Sequence, residues 1–283
     1  MNTPRAIFRP ATVSGYVTGV LDLNVAGRRV LSVPSQLGCT IGCTFCVSQT
    51  RPLVRNLQAS EMLTLIDQCF AAESARGRSV EVSFTGEGEP LLNWKQTELV
   101  VEALARQGVV DGVRYCLSGL AAARILPELD TGLLPTRLQV SLHAARQSVR
   151  DKLVPKSVPL VDLEKTLLAQ ADGFASVELN VVLQDGINDS EADVDALAQW
   201  GCPSWPILLN PLLTSNIATV ASRTGFIAGE LRRRGREVKV YRTLAEEIVR
   251  GGIYPRMTAK PVHVVRQVAH GKAQELDLAS TAS

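Results

Sequence analysis

The sequence predicts an α/β protein: a partial barrel of six strand–helix units with a short β extension at its amino end. Stretches of strand-like alternation are followed repeatedly by stretches with apolar residues at helical spacing. Such repeats give a parallel sheet with helices outside, and their crossovers all turn in one sense. Six units are too few to close an eightfold barrel, so one side is expected to stay open to a substrate too large for a closed one. Chemically capable residues also fall just after the strands, where barrels of this kind carry their active sites.

The elements follow in order. Arg29 to Val33 is rich in strand formers and leads into a cysteine loop. Met62, Leu65, Ile66, Cys69 and Phe70 recur at helical spacing. Val80 to Phe84 alternates as a strand. Trp94 to Arg106 reads as a helix with Leu99, Val100 and Leu104 facing the core. Val113 to Leu117 is a strand and Leu120 to Leu129 a helix. Leu138 to Ser141 is a strand and Val161 to Gln170 a helix. Val177 to Leu183 is the clearest strand, turned by Asp185-Gly186. Ala192 to Trp200 is a helix, Pro206 to Leu209 a buried strand, Ala218 to Arg234 a helix and Val238 to Arg242 a last strand. The expected division is 1–30 for the amino-terminal extension, 31–252 for the barrel and 253–283 for a carboxyl extension, with a frayed tail from about Gly271.

The 283 residues are 46% hydrophobic, ample for a core. A net charge of +2 is too weak to argue for nucleic acid by itself. The run Arg232, Arg233, Arg234, Arg236 reads as a solvated helix end. Met1 to Ala11 has no apolar signal region, and no apolar stretch reaches membrane-spanning length. The expectation is a cytoplasmic protein with reduced thiols and no membrane partner.

Cys39, Cys43 and Cys46 are spaced C-x3-C-x2-C. Three thiolates are one short of the usual set for an iron–sulfur cube, so one iron keeps an open site for chemistry. A structural zinc would call for paired C-x2-C ligands, and Cys69, Cys116 and Cys202 are scattered singly. The chain is also too long and too cysteine-poor for a disulfide scaffold. In Gly86-Glu87-Gly88-Glu89-Pro90, glycines admit close backbone approach and a carboxylate could hold an ammonium group, although a plain βα turn would look similar. Ser118-Gly119 offers a hydroxyl for a carboxylate or ribose, or a helix cap. In Ser141-Leu142-His143-Ala144 the histidine suits a ligand or a structural role. Asn210, before Pro211, could pair with an adenine edge or ribose, or simply turn the chain. Asp185, Asn188, Tyr241 and Arg242 are candidate contacts at the barrel mouth.

The cysteine run, with Phe45 before its third cysteine, resembles the signature of the radical S-adenosylmethionine (radical SAM) superfamily. That resemblance implies a 4Fe-4S cluster on Cys39, Cys43 and Cys46 whose open iron chelates S-adenosylmethionine. Reductive cleavage would then yield a 5′-deoxyadenosyl radical that takes hydrogen from substrate. An electron donor such as flavodoxin or ferredoxin is implied. Pro34-Ser35-Gln36-Leu37-Gly38-Cys39, Gly88-Glu89-Pro90-Leu91-Leu92-Asn93, Ser118-Gly119, Ser141-Leu142-His143-Ala144, Arg150-Asp151-Lys152-Leu153-Val154-Pro155, Asn188-Asp189 and Asn210-Pro211 occur in the order of the RlmN/Cfr family of ribosomal RNA adenine methyltransferases. That resemblance, from about Ser32 to about Gly252, implies cofactor contacts at Gly88, Glu89, Ser118, Ser141, Leu142, His143 and Asn210, with Phe45 near the adenine.

Three departures separate the chain from that family. The stretch Glu246-Glu247-Ile248-Val249-Arg250-Gly251-Gly252, which would carry the methyl-bearing cysteine, has none. The resolving cysteine, seven residues before the first cluster ligand, is replaced by Ser32, which cannot attack sulfur as a thiol does. Only 38 residues precede Cys39, where the family has an RNA-binding domain. Cys116, close to a strand's active end, is a candidate for a substitute thiol. The expectation is a radical SAM enzyme abstracting hydrogen from a small-molecule or peptide substrate, with nucleic acid less favoured. The alternatives are an RNA methyltransferase working without the cysteine pair and a non-catalytic iron–sulfur or zinc-binding protein.

Overall fold

The structure is a computed structural model that describes residues 6–10, 19–25, 28–50, 52–73, 80–211, 217–240, 264–269 and 272–277. Strands β1 (Ala6–Pro10), β2 (Gly19–Val25) and β3 (Arg28–Val33) come first. A two-stranded ribbon, β4 (Gln36–Leu37) with β5 (Arg55–Asn56), flanks the cysteine loop. There follow α1 (Ala59–Glu73), β6 (Val80–Phe84), α2 (Trp94–Gln107), β7 (Gly112–Leu117), α3 (Ala122–Ile125), β8 (Thr136–Ser141), α4 (Gln147–Leu153), α5 (Leu160–Gln170), β9 (Ser176–Leu183), α6 (Glu191–Gln199), β10 (Ile207–Pro211), α7 (Ile217–Arg233) and β11 (Val238–Val240). β12 (Val264–Ala269) and β13 (Lys272–Asp277) form a hairpin.

The main sheet runs β11-β10-β9-β8-β7-β6-β3-β2-β1-β12-β13. From β3 to β11 every pairing is parallel, so seven strands are joined by six helical crossovers and curl into a half-barrel. This is the expected six-unit architecture, and the amino-terminal β extension is seen as β1 and β2, with β2 antiparallel both to β1 and to β3. Alternation divides the sheet's faces. Val80, Val82, Phe84, Val113, Tyr115, Leu138, Val140, Leu179 and Leu209 are buried in one core with Met62, Leu65 and Ile66 of α1, Leu163 and Leu167 of α5, and Leu231 of α7.

The opposite, concave face is polar. Ser83 Oγ lies 3.4 Å from Cys116 Sγ, and Cys116 donates to Gln139 Oε1 (3.2 Å). Gln139 Nε2 donates to Glu178 Oε1 (2.8 Å), and Lys239 Nζ to Glu178 Oε2 (3.0 Å). One chain of contacts thus crosses from β6 to β11. Below it, buried Glu81 takes Arg114 (2.6 Å) and Arg137 (2.7 Å) as ion-pair partners. A closed barrel fills its interior with branched apolar side chains; this one leaves a polar trough.

Several expectations need correction. Leu99 is 46% exposed, because the buried face of α2 is Thr97, Val100, Val101 and Leu104, an i, i+3, i+4, i+7 set that omits it. The expected Leu120 to Leu129 helix is one α-turn followed by a 3₁₀ turn, Leu126–Glu128, because Pro127 cannot donate the next α-helical bond. Arg236 is not a solvated helix end: it is 3% exposed and donates to the carbonyls of Trp200 (2.9 Å) and Trp205 (3.0 Å). The stretch expected to fray from Gly271 carries β13. Helix α4 was absent from the sequence-based expectation.

Substitution separates the two readings of α2. Leu104→Ala should cost about 2–5 kcal/mol in urea unfolding, whereas Leu99→Ala should stay within about 0.5 kcal/mol of the parent. A large loss at Leu99 would contradict the observed helix face.

Candidate active site

The site is built on the loops at the carboxyl ends of β3, β6, β7 and β8. Thr44 N–H, in the loop after β3, donates to the Leu153 carbonyl at the end of α4 (3.0 Å), and Cys46 N–H to the Cys43 carbonyl (3.0 Å). Cys39, Cys43 and Cys46 are all free thiols, partly exposed, and pack on a small cluster of Ile41, Phe45, Val149, Leu153, Val154 and Val182. At Gly38, with φ +79°, an added Cβ would lie 2.1 Å from the Pro52 carbonyl oxygen, so only glycine lets the loop close on that segment. Burial raises the Cys39 thiol pKa against hydrogen bonds from the backbone of Ile41 and Gly88, and pushes Cys43 up to about 12. Metal binding would therefore release protons from this loop.

The loop after β6 approaches the same place. At Gly88, φ +98°, a Cβ would strike the Gln36 side chain at 2.6 Å. Gln36 Oε1 accepts from Glu89 N–H (2.8 Å) while its Nε2 donates to Asn56 Oδ1 (2.8 Å), and Asn93 Nδ2 donates to the carbonyls of Ser35 (2.7 Å) and Leu57 (2.8 Å). Glu89 is buried. Its Oε2 accepts from Ser118 N–H (2.7 Å), and its Oε1 is buried with no hydrogen bond of normal geometry. Desolvation raises its pKa to about 7, against hydrogen bonds from Ser118 and Leu91 and the charge of Arg150.

Arg150 of α4, 0% exposed, donates to the carbonyls of Ser118 (2.6 Å), Ser141 (2.9 Å) and Leu142. Leu142 turns its side chain into the main core. His143 has φ +58°, unusual for a residue with a Cβ. Its Nδ1 accepts from Val182 N–H (3.1 Å), so Nε2 carries the proton, and burial drives its pKa down to about 3. Its ring meets Phe45 edge-on at 4.7 Å. Asn210 Nδ2 donates to Asn180 Oδ1.

The structure therefore brings Cys39, Gly88, Glu89 and Ser118 together, and joins His143 to the cysteine loop through Phe45. Asn210 sits two strands further round, paired with Asn180. Of the mouth candidates, Asp185 is exposed, while Asn188 is buried with its amide bonded to the carbonyls of His143 (2.7 Å) and Val182 (2.8 Å) and its oxygen to Gln184 N–H (2.8 Å). Tyr241, Arg242 and Glu246 to Gly252 lie outside the described residues. Burial raises the Cys116 thiol pKa. Gln36, Asn93, Arg150 and Asn180 were not singled out from the sequence. Arg150 stood inside a quoted motif without a role; its apolar neighbours Val149 and Leu153 were the available signal.

The residues fit a cluster with an open corner. Three thiolates would give one ligand to each of three irons of a cube and leave the fourth iron open. The orphaned, buried Glu89 oxygen suits an ammonium group.

The family model described as "Radical SAM superfamily" matches residues 33–198. The chain belongs to the radical SAM superfamily. The cofactors of that superfamily are a 4Fe-4S cluster and S-adenosylmethionine. The chain is similar to a probable dual-specificity RNA methyltransferase RlmN of Chlorobium chlorochromatii, 35% identical over 212 residues, 68% of this chain and 56% of that one. It is 28% identical over 251 residues to the dual-specificity RNA methyltransferase RlmN of Phenylobacterium zucineum, 77% of this chain and 63% of the relative. The crystal structure of a radical SAM methyltransferase from Sphaerobacter thermophilus superposes with a TM-score of 0.69 at 26% identity, over 86% of this chain and 74% of that one. The chain thus spans 56 to 63% of the length of these two curated relatives. No helix among the described residues is long and apolar enough to cross a membrane.

The raised Glu89 pKa sets a pH dependence. The folded carboxyl holds its proton to about pH 7, above its unfolded value, so this group's contribution to folding stability falls as pH rises from about 4.3 toward 7. Glu89→Gln should abolish that slope in the metal-free protein. An ammonium ligand, which needs the carboxylate, should bind more tightly as pH rises through about 7. Urea unfolding and S-adenosylmethionine titration at matched pH values would show both, and a Glu89→Gln protein with the parent's pH profile would refute the assignment.

Proposed function

We propose that the chain cleaves S-adenosylmethionine reductively to modify an adenine base in nucleic acid, without passing a methyl group through a pair of cysteines. Cys39, Cys43 and Cys46 hold the cluster. Glu89 Oε1 receives the cofactor's amino group beside Ser118, and Gly88 keeps the backbone close. Ser141, the backbone of Leu142, the Nε2–H of His143 and Asn210 line the ribose and adenine side, with Phe45 packed beneath. Bound there, the pair of cofactors supplies a carbon radical able to take a hydrogen atom from substrate. The protein's own part is to bind, orient and exclude water. The observation that carries this reading is the orphaned Glu89 Oε1, on a carboxyl whose Oε2 is held by Ser118 N–H, in a loop that also reaches Cys39 through Gly88.

The nucleic-acid assignment rests on the relatives, two of them RNA methyltransferases by name. It replaces the small-molecule or peptide substrate expected from the sequence. That expectation leaned on the few residues before Cys39, and a chain spanning part of its relatives supports no inference from where it starts. Ser32, paired with Ser83 on β6, and the cysteine-free stretch 246–252 favour a second reading, a different substrate under the same radical chemistry.

Two measurements divide these readings. The anaerobically reconstituted chain with dithionite should release 5′-deoxyadenosine from S-adenosylmethionine, and Cys43→Ala should release none. Mass spectrometry of RNA from a deletion strain should show an adenine lacking the modification present in the parent. Identical RNA in both strains, with 5′-deoxyadenosine release stimulated by a small-molecule or peptide fraction, would transfer the assignment to the second reading. No release under any condition would refute both.

A further inference from the structure

Among the described residues Arg150 is the largest wholly buried side chain, and a core of this kind has no need of a charge there. A buried guanidinium is costly unless its donors are used. Here its two terminal nitrogens donate to backbone carbonyls after two strands, Ser118 after β7 and Ser141 and Leu142 at the end of β8, while Nε has no hydrogen-bond partner. No carboxylate among its described hydrogen-bond partners neutralises it. The Ser118 peptide is shared: its N–H donates to Glu89 and its carbonyl accepts from Arg150. The same short helix supports the cysteine loop. Leu153 accepts from Thr44 N–H, and Val149 and Leu153 pack in the cluster that Cys39, Cys43 and Cys46 border.

Resting on the proposed cluster assignment, we infer that Arg150 is a positioning residue. It clamps the loops after β7 and β8 to the helix that supports the cysteine loop. Lysine keeps the charge and loses the planar fork that reaches three carbonyls. Methionine keeps much of the volume and loses both charge and fork.

The test uses the full chain, as wild type, Arg150→Lys and Arg150→Met. Amide exchange at 39–46 is followed in the iron-free protein, and S-adenosylmethionine affinity after reconstitution. Both variants should lose amide protection in that loop and weaken cofactor binding by about tenfold or more. Wild-type protection and affinity in Arg150→Lys would overturn the clamp, and Arg150→Lys decides alone if Arg150→Met does not fold. A wild-type chain that takes up no iron sinks the proposed function, and the exchange arm then still decides the clamp.

Discussion

Glu89 and Arg150 place a carboxyl and a guanidinium where almost no water reaches, and each is held by backbone groups. The peptide of Ser118 stands between them, its N–H turned to the carboxylate and its carbonyl to the guanidinium. In a low-dielectric setting a half-satisfied arrangement of this kind would be worse than an apolar one. The loops after β6, β7 and β8 therefore have little freedom to shift independently. The cysteine loop joins the same construction through Gly88 on one side and Leu153 on the other. Two buried atoms of this arrangement keep no hydrogen-bond partner, Arg150 Nε and Glu89 Oε1, and the second is where a cation would be received.

The half-barrel explains why such a site can open onto a large substrate. Seven parallel strands give a curved sheet whose helix-facing residues are apolar and whose inner residues are polar. The inner contacts from Ser83 to Lys239 and the ion pairs of Glu81 hold that wall by hydrogen bonding where a closed barrel uses packing. Cys116 belongs to this wall: it donates to Gln139, and burial keeps it a thiol. A polar wall is suited to a polar partner, whether base or peptide.

The parallel strands were legible because a period of two and a period of 3.6 alternate plainly along the chain. The cysteine triad and the Glu89 loop were legible because their spacing is local. Features depending on distant neighbours were not. Leu99 looks apolar in a helix, yet one residue of phase puts it in solvent. Arg236 read as part of a basic run, but its environment is set by the carbonyls of Trp200 and Trp205, more than thirty positions away. Arg150 lies in a helix of seven residues, too short to show a period, and its partners come from two other loops. His143 was read as ambiguous from the sequence. The structure ties Nδ1 to Val182 and the ring to Phe45, leaving Nε2–H as the atom it can offer.

The central claim is that three thiolates leave one iron free and that Glu89 holds the reagent bound to it. The EPR spectrum of the dithionite-reduced, anaerobically reconstituted chain tests this most directly, recorded with and without S-adenosylmethionine. The account predicts a reduced 4Fe-4S signal whose shape changes when the cofactor is added, and a much weaker change in Glu89→Gln at the same concentration. Zinc in place of iron, or a signal indifferent to the cofactor in the wild-type chain, would contradict it.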